Sequence, residues 1–521
     1  MTPSKPVILD GHQLTLSQIE SVARHAADVI LDSEASKRVQ NCSDSVQDII
    51  HSDKIVYGVN TGFGIFSDQV IHPKHAVQLS RNLILSHATG LGPPFPMDVV
   101  RTAMLVRANT FAQGHSGVRP EIIATLIQML SKDVVPKVPS QGSLGSSGDL
   151  APLSHLALVL SSDPDENHSE PSGEAWFQGT LMSGAEAMRK AGIPRICLQA
   201  KEGLAITNGA TFTVAMLALA CLDARSLLRV ADIAAALSIE ALLGVSSAFD
   251  HRLHRVRPHP GQVRVAESIL ALLAGSTLVD STDHVQDAYS LRCTPQVHGP
   301  AWEMLEFAER VASLEINSAT DNPLFFNGHA ISGGNFHGEP IGLSCDYLKI
   351  ALSEIGAISE RRIFRLTSAH LNRGLPSMLV PNVDLVGLQS GLMMLHYTSA
   401  SLALENQSLS IPDSVRSLST SGGQEDINAN ATTAARHLLA LIHNLRRILA
   451  IELIAASQAI DIRLQQMPDA HLGVGSQAAY RTIRERLPFI AEDHYLSPDI
   501  QTIEDLINDK LLIHAVDEAL S

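Results

Sequence analysis

From Lys201 to about Gly244 the chain runs without a proline, rich in Ala and Leu with only scattered charges. Such a stretch is one long helix or two nearly collinear ones, because nothing in it removes a backbone donor or blocks the helical turn. It is apolar nearly all round, which places it at the centre of a bundle. Lys349 to Leu366 repeats the pattern, with Ala351, Ile355 and Ile358 on one face and Glu360, Arg361 and Arg362 near the C-terminal turn. In 431–464, Leu438, Leu441, Leu445, Leu449 and Leu453 recur at spacings of three and four. A small domain cannot cover three such helices. The sequence therefore predicts a mainly α fold: a long central helix bundle with burial between subunits.

Composition agrees and excludes some functions. Aromatic residues are only 4% of the 521, which suits close-packed helices better than sheets. The formal charge of −16 argues against nucleic acid or an anionic membrane as partner, since both demand basic patches. Cys42, Cys197, Cys221, Cys293 and Cys345 lie far apart with no CxxC pair, which favours a reducing compartment and offers no thiolate metal site. The opening residues lack the apolar core of a signal peptide. Asp223, Arg225, Arg229 and Asp232 interrupt the most apolar region before it reaches membrane-spanning length. A cytoplasmic protein is expected.

The smaller elements read as follows. A short strand or extended lead precedes a helix from about Thr15 to Leu31, and Ser43 or Asp44 caps the next helix. Residues 76–92 form a helix running into Leu85–Gly90, and helices fill 98–132. The polar stretch Ser161–Pro171 is an exposed hairpin or loop. The expected division is 1–200, a smaller mixed region, and 201–521, the long-helix bundle with the C-terminal helices.

The chemistry centres on Gly142-Ser143-Leu144-Gly145-Ser146-Ser147-Gly148-Asp149-Leu150-Ala151-Pro152-Leu153. Gly148 can reach the dihedrals of a very tight turn, in which its nitrogen could attack the carbonyl of Ser146 and close a five-membered ring. Loss of water from the ring and from Ser147 would leave an exocyclic methylidene, a carbon electrophile. Read alone, the same residues could instead cap a helix starting at Leu150 or form an anion-binding nest.

The stretch resembles the methylidene-imidazolone (MIO) signature of the aromatic amino-acid lyases, with Ser146 where Ala is usual. Further motifs follow in that family's order. The loop Val56–Gly64 is similar to its Tyr-loop and makes Tyr57 the candidate general base; Tyr57 could otherwise be a half-buried anchor. The block Gln286-Asp287-Ala288-Tyr289-Ser290-Leu291-Arg292 resembles its substrate-binding segment. By the resemblance Gln286 binds substrate, Tyr289 lies near the electrophile and the amine, and Arg292 offers a planar fork for the substrate carboxylate. Asn208, expected just inside the first long helix, could bond the substrate amine or the imidazolone oxygen, and Phe336 would line the pocket. Ala210 and Gly423 depart from the family pattern, as does the text after Asp426.

Two residues point within the family to histidine as substrate. Ser86-His87 is the pairing typical of histidine ammonia-lyases, and Glu425 supplies a carboxylate that an imidazole ring can use and a benzene or phenol ring cannot. The resemblance implies elimination of ammonia from L-histidine to trans-urocanate by an MIO formed from Ser146-Ser147-Gly148, with no external cofactor and no metal. It also implies a homotetramer with shared active sites and a helical core like that of the fumarase and aspartase lyases. The alternatives are a phenylalanine or tyrosine lyase or an aminomutase, a fumarase-type lyase without the ring, and an inactive helical scaffold.

Overall fold

The computed structural model describes residues 5–52, 54–163 and 171–521. Helix accounts for 59% and strand for 8%, so the mainly α expectation holds. In chain order the helices are α1 (Leu16–His25), α2 (Ser33–Ile50), α3 (Ala76–His87), α4 (Met97–Ala112), α5 (Pro120–Ser131), α6 (Leu150–Leu160), α7 (Gly184–Lys190), α8 (Glu202–Thr207), α9 (Thr211–Ala241) and α10 (His251–Arg255). They continue as α11 (Pro260–Leu272), α12 (Tyr289–Arg292), α13 (Thr294–Glu315), α14 (Glu339–Thr367), α15 (Met393–Leu409), α16 (Ala431–Gln466), α17 (Val474–Arg484), α18 (Ser497–Asn508) and α19 (Leu511–Leu520). No helix among the described residues is long and apolar enough to cross a membrane.

The chain forms two compact units: 1–219 with 308–346 and 412–436, and 220–307 with 347–411 and 437–521. This grouping differs from a cut after residue 200, because most of its boundaries fall inside α9, α13, α14 and α16.

The first unit holds every strand among the described residues, as five small sheets. Val7–Leu9 pairs in parallel with Val29–Leu31. That pairing corrects the Thr15–Leu31 helix: α1 stops at His25, where Ala26 turns left-handed (φ 51°), and the chain returns as a strand. Asp32, not Ser43 or Asp44, caps α2 through the amides of Glu34 and Ala35, and Ser43 is buried within the helix. Ser161 and Ser162 are a buried strand pairing with Ile196 and Cys197; residues 164–170 of the expected loop lie outside the described residues.

Arg107 on α4 organises the break between α8 and α9. It is fully buried, and its guanidinium donates to the carbonyls of Ala205 (3.0 Å) and Asn208 (2.8 Å) and to the hydroxyl of Thr211 (Nε, 3.1 Å). Helix ends need such partners for their unpaired carbonyls. Asn208 therefore lies in an extended break ahead of the long helix, not inside it.

In the second unit, the Leu438–Leu453 stripe of α16 is wholly buried. Glu452 of the same helix takes the guanidinium of Arg362 on α14 (2.5 Å) and the hydroxyls of Ser238 (2.7 Å) and Ser359 (2.5 Å). Three groups donating four hydrogen bonds to one buried carboxylate is what keeps a charge tolerable there.

Candidate active site

The Gly142–Leu153 loop is built around Asp149, which is fully buried. Its carboxylate accepts from Ser143 Oγ (2.8 Å), Thr432 Oγ1 (2.8 Å), Thr213 Oγ1 (2.9 Å) and the Thr213 amide (2.8 Å). α6 starts immediately after, at Leu150. Gly148 has φ +86°, and a Cβ there would meet the Gly209 nitrogen at 2.0 Å, so no other residue fits. The Asp149 amide completes the junction by donating to the Gly209 carbonyl at 2.9 Å.

The two serines of the triplet have different surroundings. Ser146 is buried; its hydroxyl accepts from the Ala429 amide at 2.7 Å and donates to the Leu144 carbonyl at 3.2 Å. The hydroxyl that replaces the usual methyl thus ties the loop to the segment following Glu425. The carbonyl of Ser147 accepts from Asn208 Nδ2 at 2.5 Å, and Asn208 Oδ1 is buried without a partner.

A cavity of about 1080 Å³ opens onto this loop, and Tyr57, His87, Ser146, Ser147, Asn208, Phe336 and Glu425 all line it. Seven residues singled out from the sequence, drawn from six separate segments, therefore meet in one place. Tyr57 Oη accepts from the Gly64 amide at 3.4 Å. Burial, with a further contribution from the Glu425 charge, raises the Tyr57 phenol above its usual range. A general base needs the opposite, and the groups of this chain around Tyr57 do not produce it. Burial lowers the His87 pKa and so favours the neutral ring, and Ser86 Oγ lies 2.9 Å from its Nδ1.

Glu425 sits at the end of a short reversal. Its backbone pairs with that of Thr420 (2.9 and 3.3 Å), and Thr420 Oγ1 donates to Glu425 Oε2 at 2.8 Å. Gly423 has φ +92°, a conformation that suits glycine, so this departure from the family pattern fits the local turn. Ser421 Oγ accepts from the Ile65 amide at 3.3 Å, joining this segment to the loop that carries Tyr57. Among the described residues no group of three or more His, Cys, Asp or Glu is placed to hold a metal ion.

Comparison with known proteins now adds to the geometry. The profile of the family described as aromatic amino acid lyase matches residues 14–485. The chain is 46% identical to a histidine ammonia-lyase of Alkaliphilus oremlandii over 520 residues, covering 99% of each. The chain belongs to the aromatic amino acid lyase family. Its fold is similar to that of the histidine ammonia-lyase of Trypanosoma cruzi (TM-score 0.89, 36% identity, 99% and 96% of the two chains). It is similar also to a tyrosine aminomutase of Streptomyces globisporus (TM-score 0.91, 34% identity, 99% of each). The fumarase-type reading is set aside by this membership.

Three expected site residues of this aromatic amino acid lyase, Gln286, Tyr289 and Arg292, are not among the residues lining the cavity. They belong to the second unit, where Asp287 anchors their segment by accepting from Arg373 (2.6 Å) and from the Val245 amide (2.7 Å). Tyr289 is 70% exposed, with the Arg292 guanidinium 4.8 Å from its ring centroid. Arg292 Nε is buried without a partner.

Sequence reasoning did not single out Arg107, Asp149, Thr213, Thr420 or Thr432 as functional. Asp149 stood inside the signature and Thr420 at the head of a Ser/Gly-rich turn, which were the available signals. Nothing in the order of residues links Arg107 to Asn208.

Proposed function

We propose that this lyase eliminates ammonia from L-histidine to give trans-urocanate, using an MIO electrophile formed from Ser146, Ser147 and Gly148. The observation that carries the substrate is the presence of His87 and the Glu425 carboxylate in the cavity onto which Ser147 opens. The loop suits the ring: Gly148 is pressed against Gly209, Asn208 holds the Ser147 carbonyl, and the orphaned Asn208 Oδ1 remains for a donor such as a substrate amine. When formed, the group supplies an electrophilic carbon that activates the substrate's amino group for departure.

The chain's own side chains supply the rest. Glu425 accepts an imidazole N–H and orients the ring, so that charge at the adjacent carbon is tolerated. Tyr57 in its ionised form takes the β-proton, and that form grows as pH rises. Tyr289, largely exposed, and the half-buried Arg292 beside it serve the cavity of another chain, Arg292 holding the substrate carboxylate. The assembly is a cytoplasmic homotetramer with no external cofactor.

The likeness to a tyrosine aminomutase favours one second reading, a different aromatic substrate or an amino-group shift. Purified protein incubated separately with L-histidine, L-phenylalanine and L-tyrosine, with product absorbance and ammonia followed, separates these. Intact mass of the same sample reads the lost waters. Full turnover by Ser147→Ala, or an unmodified mass in active protein, would overturn the electrophile; no urocanate from L-histidine would overturn the substrate.

A further inference from the structure

Resting on that substrate reading, we infer that Thr420 is a positioning residue for imidazole recognition, acting through Glu425. A single carboxylate on a turn can rotate, and an ion that selects one ring over another must be aimed. Thr420 aims it. Its hydroxyl donates to Glu425 Oε2 at 2.8 Å, which occupies one carboxylate oxygen and leaves Oε1 for a ring N–H.

The direction of that hydrogen bond is itself set by the structure. Asn428 is buried at 2% exposure, and its Nδ2 points toward the Leu418 carbonyl, the Glu425 carbonyl (3.4 Å) and Thr420 Oγ1 (3.5 Å). The Thr420 oxygen thereby faces a donor, so its one proton is turned to Glu425. The Asn428 amide nitrogen is held in turn by Ser417 Oγ at 2.7 Å. The backbone pairing of Thr420 with Glu425 keeps donor and acceptor in register across the turn. Asn428 falls in the stretch where this chain leaves the family's usual text.

A charge-assisted hydrogen bond between neighbours is read by substitution and coupling. Thr420→Val keeps the shape and removes the hydroxyl. It should raise KM for L-histidine about tenfold with kcat within about twofold, while Thr420→Ser restores the wild-type KM. In a Glu425→Gln background the Val change should add almost nothing, because the partner it acts through is gone. Should the Val variant not fold, Thr420→Ala carries the same comparison. A Val or Ala variant matching wild type, or an effect that adds in full to that of Glu425→Gln, overturns the inference alone. Wild-type enzyme that forms no urocanate from L-histidine overturns the substrate reading and this inference with it.

Discussion

The Asn208 carboxamide donates to the carbonyl oxygen of Ser147 at 2.5 Å, across a junction where Gly148 and Gly209 touch backbone to backbone. That oxygen is the one the proposed ring retains. A donor fixed in advance stabilises charge without reorganisation. Asn208→Ala should lower kcat on the order of 10²-fold while leaving the mass deficit of the ring in place, as read by ammonia release and intact mass.

Tyr57 sits where its ionised form is disfavoured, first by burial and then by the Glu425 charge. As a base it works only once deprotonated, so kcat/KM should climb with pH beyond neutrality. Replacing Glu425 by Gln removes a negative charge that raises the Tyr57 pKa, so the rising limb should shift to lower pH. Tyr57→Phe should lose about 10²–10⁴-fold in turnover at every pH, as followed by product absorbance.

Ser146 Oγ is the hydrogen-bond acceptor for the buried Ala429 amide. Ser146→Ala leaves that N–H without its partner, at a cost of about 1–3 kcal/mol. Formation of the proposed ring should persist, since the Ser146 side chain takes no part in its closure. Thermal unfolding should occur at a lower temperature, with an unchanged mass deficit.

Arg292 and Tyr289 do not line the cavity that holds Tyr57 and Glu425, and Tyr289 is largely exposed. If they complete a neighbouring chain's site, Tyr57→Phe and Arg292→Gln should each be nearly inactive alone. Co-expressed, the two should regain a fraction of wild-type turnover, because some sites receive neither lesion. Equal inactivity of the mixture would rule out sharing.

Glu240 is fully buried on α9, where its Oε1 accepts from the Gly473 amide at 2.7 Å. Burial pushes its carboxyl up to about 7. A raised folded-state pKa gives stability that is complete below the unfolded value and is lost as pH rises through about 7. Glu240→Gln should therefore stabilise the protein by about 3 kcal/mol at pH 8 and by almost nothing at acid pH below the usual carboxyl range. Denaturant unfolding at the two pH values measures the difference.

The sequence by itself determined the three long helices, because apolar residues at helical spacing without proline have one economical conformation. It marked the Gly142–Leu153 loop as well, where only Gly at 148 fits so close a backbone contact. His87 and Glu425 could be named from local text. What local text could not supply was anything held by a distant partner. The end of α1 was decided by a strand pairing with Val7–Leu9, and the extended setting of Asn208 by Arg107 a hundred residues earlier. Thr420 aims Glu425 only because the turn brings the two side by side, and Ser146 grips Ala429 across 283 positions. Periodicity and turn chemistry act between near neighbours, whereas burial and hydrogen-bond partnership depend on which segments the fold brings together. The Tyr57 pKa shows the difference most plainly: its sign comes from burial and from a carboxylate far along the chain, and only the tertiary structure supplies both.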